Sequence, residues 1–289
     1  MTTDNINYVG SKVVRIGDEL NQINFESWIL YPCSDKSENI KIGPYCIDAC
    51  HEGVIIEGKF PLVVISHGSG GSHLLYRETA LYLAQQGHIV VMPEHYGNNR
   101  NDNSLEAKDS NLTLRTHHIK QVIDTLISDP IWINHIDTDN IFMVGHSMGG
   151  CTALAIAGAV PWSVERNKID VVQDQRIKAL VLLAPATPWF QHPDSFNEVN
   201  IPIMVYSGEY DNITPYWQAD LIKRSVKNTS LVDIHVVKNA GHFSFLSPFP
   251  ETMQYDDFLP SQDPQGFDRA AFHESLKVNI FNFFTEQCC

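Results

Sequence analysis

Serine attacks acyl groups only where a turn lifts its hydroxyl clear of the backbone and a base stands beside it. Ser147 lies in Gly145-His146-Ser147-Met148-Gly149-Gly150. The apolar run 141–144 before it predicts a strand, and the small-residue run 149–159 after it predicts a helix. Gly145 and Gly149 carry no Cβ, so strand and helix can close around a strained serine. The helix start would also aim backbone N–H groups at a developing oxyanion. Taken alone, the pattern is as often a glycine-rich turn that happens to hold a serine. The strand and helix on either side decide for a nucleophile.

An oxyanion needs two donors. One is the amide after the nucleophile, that of Met148. The other belongs to a loop leaving an earlier buried strand. The apolar run 62–65 leads into Ser66-His67-Gly68-Ser69-Gly70-Gly71, which makes Ser69 the second donor and Gly70 its alternative. By itself that loop is only a tight turn needing glycine for positive φ. A base must also be placed, and thirteen histidines make mere possession uninformative. His242, in Asn239-Ala240-Gly241-His242-Phe243, follows the last predicted strand, whereas His235 sits inside that strand and His273 inside the closing helix. A carboxylate must hold the imidazole in the right tautomer. Asp211, in Gly208-Glu209-Tyr210-Asp211, follows the strand 203–207. Glu209 is its rival, and Asp211 also reads as a turn residue before Thr214-Pro215. Loop reach favours Asp211.

Serine, then aspartate, then histidine, each at the end of a strand, is the chain order of the α/β-hydrolase fold. The elements that would carry them alternate as that fold requires. Strands are predicted at 13–16 and 25–31, an antiparallel opening pair, then at 62–65, 88–92, 141–144, 179–183, 203–207 and 232–237. Helices are predicted at 76–86, 117–127, 149–159, 216–225 and 270–284. Residues 33–58 read as a surface excursion, with loop insertions at 98–114 and 161–176. The expectation is one α/β domain over residues 1–289: a mainly parallel, eight-stranded-type sheet flanked by helices, without a large separate lid. Hydrophobic residues at 43% and charged residues at 19% supply a core for it.

With these residues placed, the chain resembles the dienelactone-hydrolase-like group, related to platelet-activating-factor acetylhydrolases and to cutinase-like polyester hydrolases. The likeness runs from Phe60 to the C-terminus. It is carried by Pro61-Leu62-Val63-Val64-Ile65-Ser66-His67-Gly68, Glu94-His95-Tyr96-Gly97-Asn98, Gly145 to Gly150, and Gly208-Glu209-Tyr210-Asp211-Asn212-Ile213-Thr214-Pro215. It continues through Ala240-Gly241-His242-Phe243-Ser244-Phe245-Leu246 and Gly266-Phe267-Asp268-Arg269-Ala270-Ala271. The resemblance implies the α/β-hydrolase fold and the set Ser147, Asp211 and His242. Dienelactone hydrolases proper use a cysteine where this chain has Ser147, so the substrate does not carry over.

The expected reaction is hydrolysis of a carboxylic ester with a short to medium acyl group, through an acyl-enzyme and without metal or organic cofactor. Amide, peptide or lactone cleavage by the same residues is the alternative. A non-catalytic binding protein on this scaffold would need a broken triad, and no member is missing. Gly70, His95, His146, Trp189 and Phe243 are expected to touch substrate, among the aromatic rim Trp162, Trp189, Phe190, Trp217, Phe243 and Phe245. Arg115 reads as one half of a structural salt bridge.

The net charge of −14 excludes a nucleic-acid partner, which needs clustered cations. No run reaches the roughly 18 apolar residues of a membrane span. Residues 1–10 show no secretory pattern, so a cytoplasmic protein is expected. A small-molecule ester is the expected partner, and a homo-oligomer stays open. Six cysteines suit free thiols better than a framework, although Cys46 and Cys50 have a pairing or zinc-like spacing. Cys151 reads as a small buried hydrophobe, Cys288-Cys289 as a frayed end resembling a lipidated tail, and His117-His118 as lacking a carboxylate motif for metal.

Overall fold

The computed structural model describes residues 8–18 and 21–288. Two antiparallel pairs open the chain, β1 (Val9–Asp18) with β2 (Ile23–Pro32) and β3 (Glu38–Ile42) with β4 (Tyr45–His51). Six strands follow: β5 (Phe60–Ser66), β6 (Ile89–Pro93), β7 (Ile136–His146), β8 (Ile177–Leu183), β9 (Ile203–Gly208) and β10 (Val232–Val237). They form one sheet in the order β10-β9-β8-β7-β5-β6-β2-β1-β4-β3, with β5 to β10 all parallel.

Side-chain alternation explains why the parallel centre of this sheet is buried on both faces. Leu62 and Val64 of β5 point into one core with Ile89, Val91, Ile141 and Met143, while Val63 and Ile65 point into another with Val90, Met92, Phe142 and Val144. The first core is closed by α2 (Asp109–Ser128), α3 (Met148–Ile156) and α4 (Trp217–Ser225). The second is closed by α1 (Arg77–Gln85) and α5 (Arg269–Gln287), where Phe284 stacks on Phe142 at 4.8 Å. Every residue of α3 is buried, which its small apolar composition permits and which sets its N-terminus deep at the strand ends.

The excursion expected at 33–58 instead adds a hairpin, so the sheet has ten strands where eight were expected. Its signal was a period of two: Tyr45, Ile47 and Ala49 are buried while Cys46 and Asp48 are exposed. Helix α2 begins at Asp109, earlier than its apolar stripe suggests, so residues 109–114 of the loop insertion expected at 98–114 are helical. Residues 161–176 form no helix or strand beyond an isolated bridge between Trp162 and Lys168. Cys46 and Cys50 stand four residues apart on one strand, roughly 13 Å at the usual rise, too far for a disulfide. Cys50 instead approaches Cys33 and Asp35, their ligand atoms lying within 4.8 Å of one another. No helix among the described residues is long and apolar enough to cross a membrane. Of the terminal pair, Cys289 lies outside the described residues, as do residues 1–7.

Candidate active site

Ser147 sits between β7 and α3 with φ +54° and ψ −117°, a conformation disfavoured for a residue with a Cβ. The glycines around it are there for space. A Cβ at Gly145 would collide with the Gly149 carbonyl, and one at Gly149 with the Ser66 carbonyl of the neighbouring strand. A Cβ at Gly150 would lie 2.8 Å from Pro185 Cβ. The strained turn is thus wedged between β5 and β8, and the first amides of α3, including that of Met148, have no intrahelical carbonyl to bond.

His242 and Asp211 meet behind it. His242 Nδ1 donates to Asp211 Oδ2 at 2.8 Å, and both side chains are buried. Asp211 is held in turn by Thr214, whose amide donates to Oδ1 and hydroxyl to Oδ2 at 2.8 and 2.7 Å, and by the Ile213 amide at 2.8 Å. Burial alone would raise the Asp211 carboxyl, but the hydrogen bonds from His242 and Thr214 outweigh it and hold the carboxyl below its usual value. Glu209, the rival, is exposed and accepts the Asn239 amide at 2.8 Å, bracing the loop that leads to His242.

Ser147, His242, Ser69, Gly70, His146 and Phe243 line one cavity of about 550 Å³, within the usual range for a small-molecule site. Ser69 is exposed there, beside Gly68, whose missing Cβ would lie 3.3 Å from Ser147 Cβ. Gly70 adopts φ +59°, which the tight turn requires. Two expected contacts lie elsewhere. His95 is fully buried outside the lining, its Nε2 2.8 Å from Ser66 Oγ and its Nδ1 3.2 Å from His118 Nδ1. Trp189 packs against the core on the α2–α3–α4 face, its carbonyl accepting the Trp162 amide at 2.8 Å. Of the expected aromatic rim only Phe243 lines the cavity.

Arg115 departs from expectation, for it meets no carboxylate. Its guanidinium is fully buried and donates to Thr152 Oγ1 on α3 (2.9 Å), Asn98 Oδ1 (2.6 Å), Ser66 Oγ (3.3 Å) and the His67 carbonyl. Asn98 passes this on, donating to Ser69 Oγ at 2.9 Å. Burial lowers the Arg115 pKa to about 9, leaving it charged at neutral pH. Five donors in a planar fork make one arginine able to knit the glycine-rich loop, α2 and α3 together.

The family model described as alpha/beta hydrolase fold matches residues 61–200. A solved ferulic acid esterase from Streptomyces cinnamoneus superposes with a TM-score of 0.76, covering 97% of this chain and 90% of that one at 17% identity. The chain has the α/β-hydrolase fold. Among sequence relatives, the chain is 28% identical over 132 residues to a carbendazim hydrolyzing esterase of Nocardioides sp., covering 46% of the chain and 44% of that relative. It is 22% identical over 192 residues to carboxymethylenebutenolidase of Pseudomonas putida, covering 63% of the chain and 74% of the relative. The chain therefore spans less than half the length of the first of these and about three-quarters of the second.

Sequence reasoning missed one wall of the cavity. The segment between β10 and α5 carries Leu246, Met253, Tyr255, Phe258 and Pro260 into the lining, and Tyr45 of β4 and Arg100 complete the rim. Three short 3-10 turns interrupted by prolines give that segment no helical or strand period to detect. It is latched from both sides. Arg269 donates to both oxygens of Asp263 at 2.9 and 3.0 Å, and Asp263 accepts Ser244 Oγ at 2.7 Å. Arg77 donates to the Pro248 carbonyl and lies 4.0 Å over the Tyr45 ring.

Proposed function

We propose that the protein is a serine hydrolase that cleaves carboxylic esters of small molecules through an acyl-enzyme. Ser147 Oγ attacks the carbonyl carbon while His242 Nε2 takes its proton, and Asp211 stabilises the imidazolium through the Nδ1–H bond. The amides of Met148 and Ser69 hold the oxyanion. The tetrahedral intermediate collapses as His242 returns the proton to the leaving alcohol, and water then repeats the sequence on the acyl-enzyme.

The observation that carries this reading is the buried His242–Asp211 contact at 2.8 Å on the same cavity as a serine held at φ +54°. A turn serine in a merely structural role has no need of that strain or of that neighbour. The esterase names of the relatives support the bond class. The apolar wall of Phe243, Leu246, Met253 and Phe258 suits a short to medium acyl group.

The test is a panel of p-nitrophenyl esters from acetate to octanoate, with lactones and aminoacyl anilides beside them, run on wild type and Ser147→Ala. Ester turnover and fluorophosphonate labelling are expected in wild type and absent from the variant. Turnover or labelling that survives Ser147→Ala would overturn the proposal, and a preference for anilides or lactones would move the substrate class.

A further inference from the structure

The cavity wall beside Ser147 contains a second histidine that the proposed reaction does not use. His146 is buried at 2% exposure between the glycine-rich loop and the loop of His242. Its Nε2 lies 3.0 Å from the His242 carbonyl oxygen, and its Nδ1 lies 3.0 Å from Tyr76 Oη. Tyr76 Oη in turn lies 3.3 Å from the Gly68 amide. All three bonds are buried.

The direction of this chain is dictated by its ends. A carbonyl oxygen only accepts, so His146 Nε2 must carry a proton. A neutral imidazole then has a bare Nδ1, so Tyr76 must donate its O–H there. The Tyr76 oxygen is left to accept, and the Gly68 N–H donates to it. Burial favours the neutral ring, lowering the His146 pKa to about 3. The result is one ordered sequence from the Gly68 amide through the Tyr76 hydroxyl and the His146 ring to the His242 carbonyl. Bonds aligned in this way polarise one another in a dry site.

We propose that Tyr76 and His146 act as a positioning pair that sets the distance between the oxyanion loop and the general base. Gly68 precedes Ser69, the oxyanion donor, and the chain's other end is the backbone of His242 itself. His146 is also the covalent neighbour of Ser147. One relay therefore references nucleophile, base and oxyanion donor to a common frame from within the cavity wall. The proposal rests on the serine-hydrolase reading above.

The test is a double-substitution cycle on the full-length protein with p-nitrophenyl acetate, kcat being expressed per serine titrated with fluorophosphonate. Tyr76→Phe and His146→Leu are each expected to lower kcat by about 10- to 100-fold with little change in KM. The double variant is expected to be no slower than the slower single, because both break the same relay. His146→Gln, whose amide offers a donor and an acceptor, is expected to recover most of the loss. Losses that multiply in the double variant, wild-type kcat in Tyr76→Phe, or equal losses in His146→Gln and His146→Leu would each overturn the pair. A measurement free of folding defects is the long-range ¹H–¹⁵N spectrum of wild-type imidazoles, with His146 assigned by its loss in His146→Gln. A neutral Nε2–H tautomer from pH 5 to 9 is expected, and an Nδ1–H tautomer overturns the relay. Activity that survives Ser147→Ala would instead defeat the hydrolase reading, so the two failures are distinct.

Discussion

Asp211 has both oxygens committed inside the protein. Oδ1 takes the amides of Ile213 and Thr214, and Oδ2 takes the Thr214 hydroxyl and the His242 ring. The same turn chemistry that makes aspartate an ordinary loop residue therefore aims its second oxygen at His242, the proposed base. Sequence favoured Asp211 over Glu209 on loop reach alone, since both lie on one loop after one strand and the direction in which the turn faces is not legible there. Asp211→Asn keeps an oxygen for the turn amides but can present a donor to His242 Nδ1, which reverses the useful tautomer. Its kcat is expected to fall by roughly 10³- to 10⁴-fold, whereas Glu209→Gln should stay within about threefold because its carboxylate only braces the Asn239 amide. Stopped-flow ester hydrolysis checks this, and an Asp211→Asn enzyme within tenfold of wild type would displace the assignment. Arg115 was misjudged for a related reason. A salt bridge is the usual use of a buried arginine, and nothing in the sequence reveals that four neutral oxygens from β5, the loops after β5 and β6, and α3 will converge on it.

Elements were legible where periodicity or continuous apolarity was strong. The strands β5 to β10 and the helix after Ser147 stand where their residues predict, because burial of β5 to β9 on both sheet faces leaves few other sequences possible. The hairpin β3–β4 was lost in its own polar face, and the wall between β10 and α5 was lost because prolines and short turns have no period. What the motif foretold most sharply is close packing. Gly149 lets α3 start against β5, and an added Cβ there meets the Ser66 carbonyl, which is backbone in a central strand and cannot rotate away. Gly149→Ala gains helix propensity of about 1 kcal/mol, but forcing backbone apart in a packed core costs about 1–3 kcal/mol or more. Net destabilisation is therefore expected, read as a lower urea midpoint together with reduced fluorophosphonate labelling. An unchanged midpoint would mean that the elbow is looser than the strand spacing allows.

At the scale of the whole molecule the buried imidazoles set the response to acid. Seven of thirteen histidines, His67, His73, His88, His95, His118, His146 and His273, have pKa values lowered from 6.5, with burial the largest cause in every case. His118 and His146 fall to about 3, and His73, His88 and His273 to about 4. In the unfolded chain each would take a proton near pH 6.5, so below that pH the unfolded state binds protons the folded state refuses. Stability must then drop as pH falls from 6.5 toward 4, each such group removing up to about 1.4 kcal/mol per pH unit. The depressed carboxyls Asp18, Asp102, Asp174 and Asp211 act in the same direction but only below their ordinary value of 3.8, outside this window. Net charge works the other way, because acid reduces the −14 and relieves self-repulsion. The urea midpoint is expected to fall between pH 7.5 and 5, since the histidine effect is the larger when total stability is only about 5–15 kcal/mol. His88 isolates the cause, being buried against Phe281 and absent from the cavity lining. In His88→Leu any packing cost is common to both pH values, so the midpoint difference between pH 7.5 and 5 should shrink relative to wild type. A difference that does not shrink would assign the acid lability to charge repulsion or to carboxylates instead.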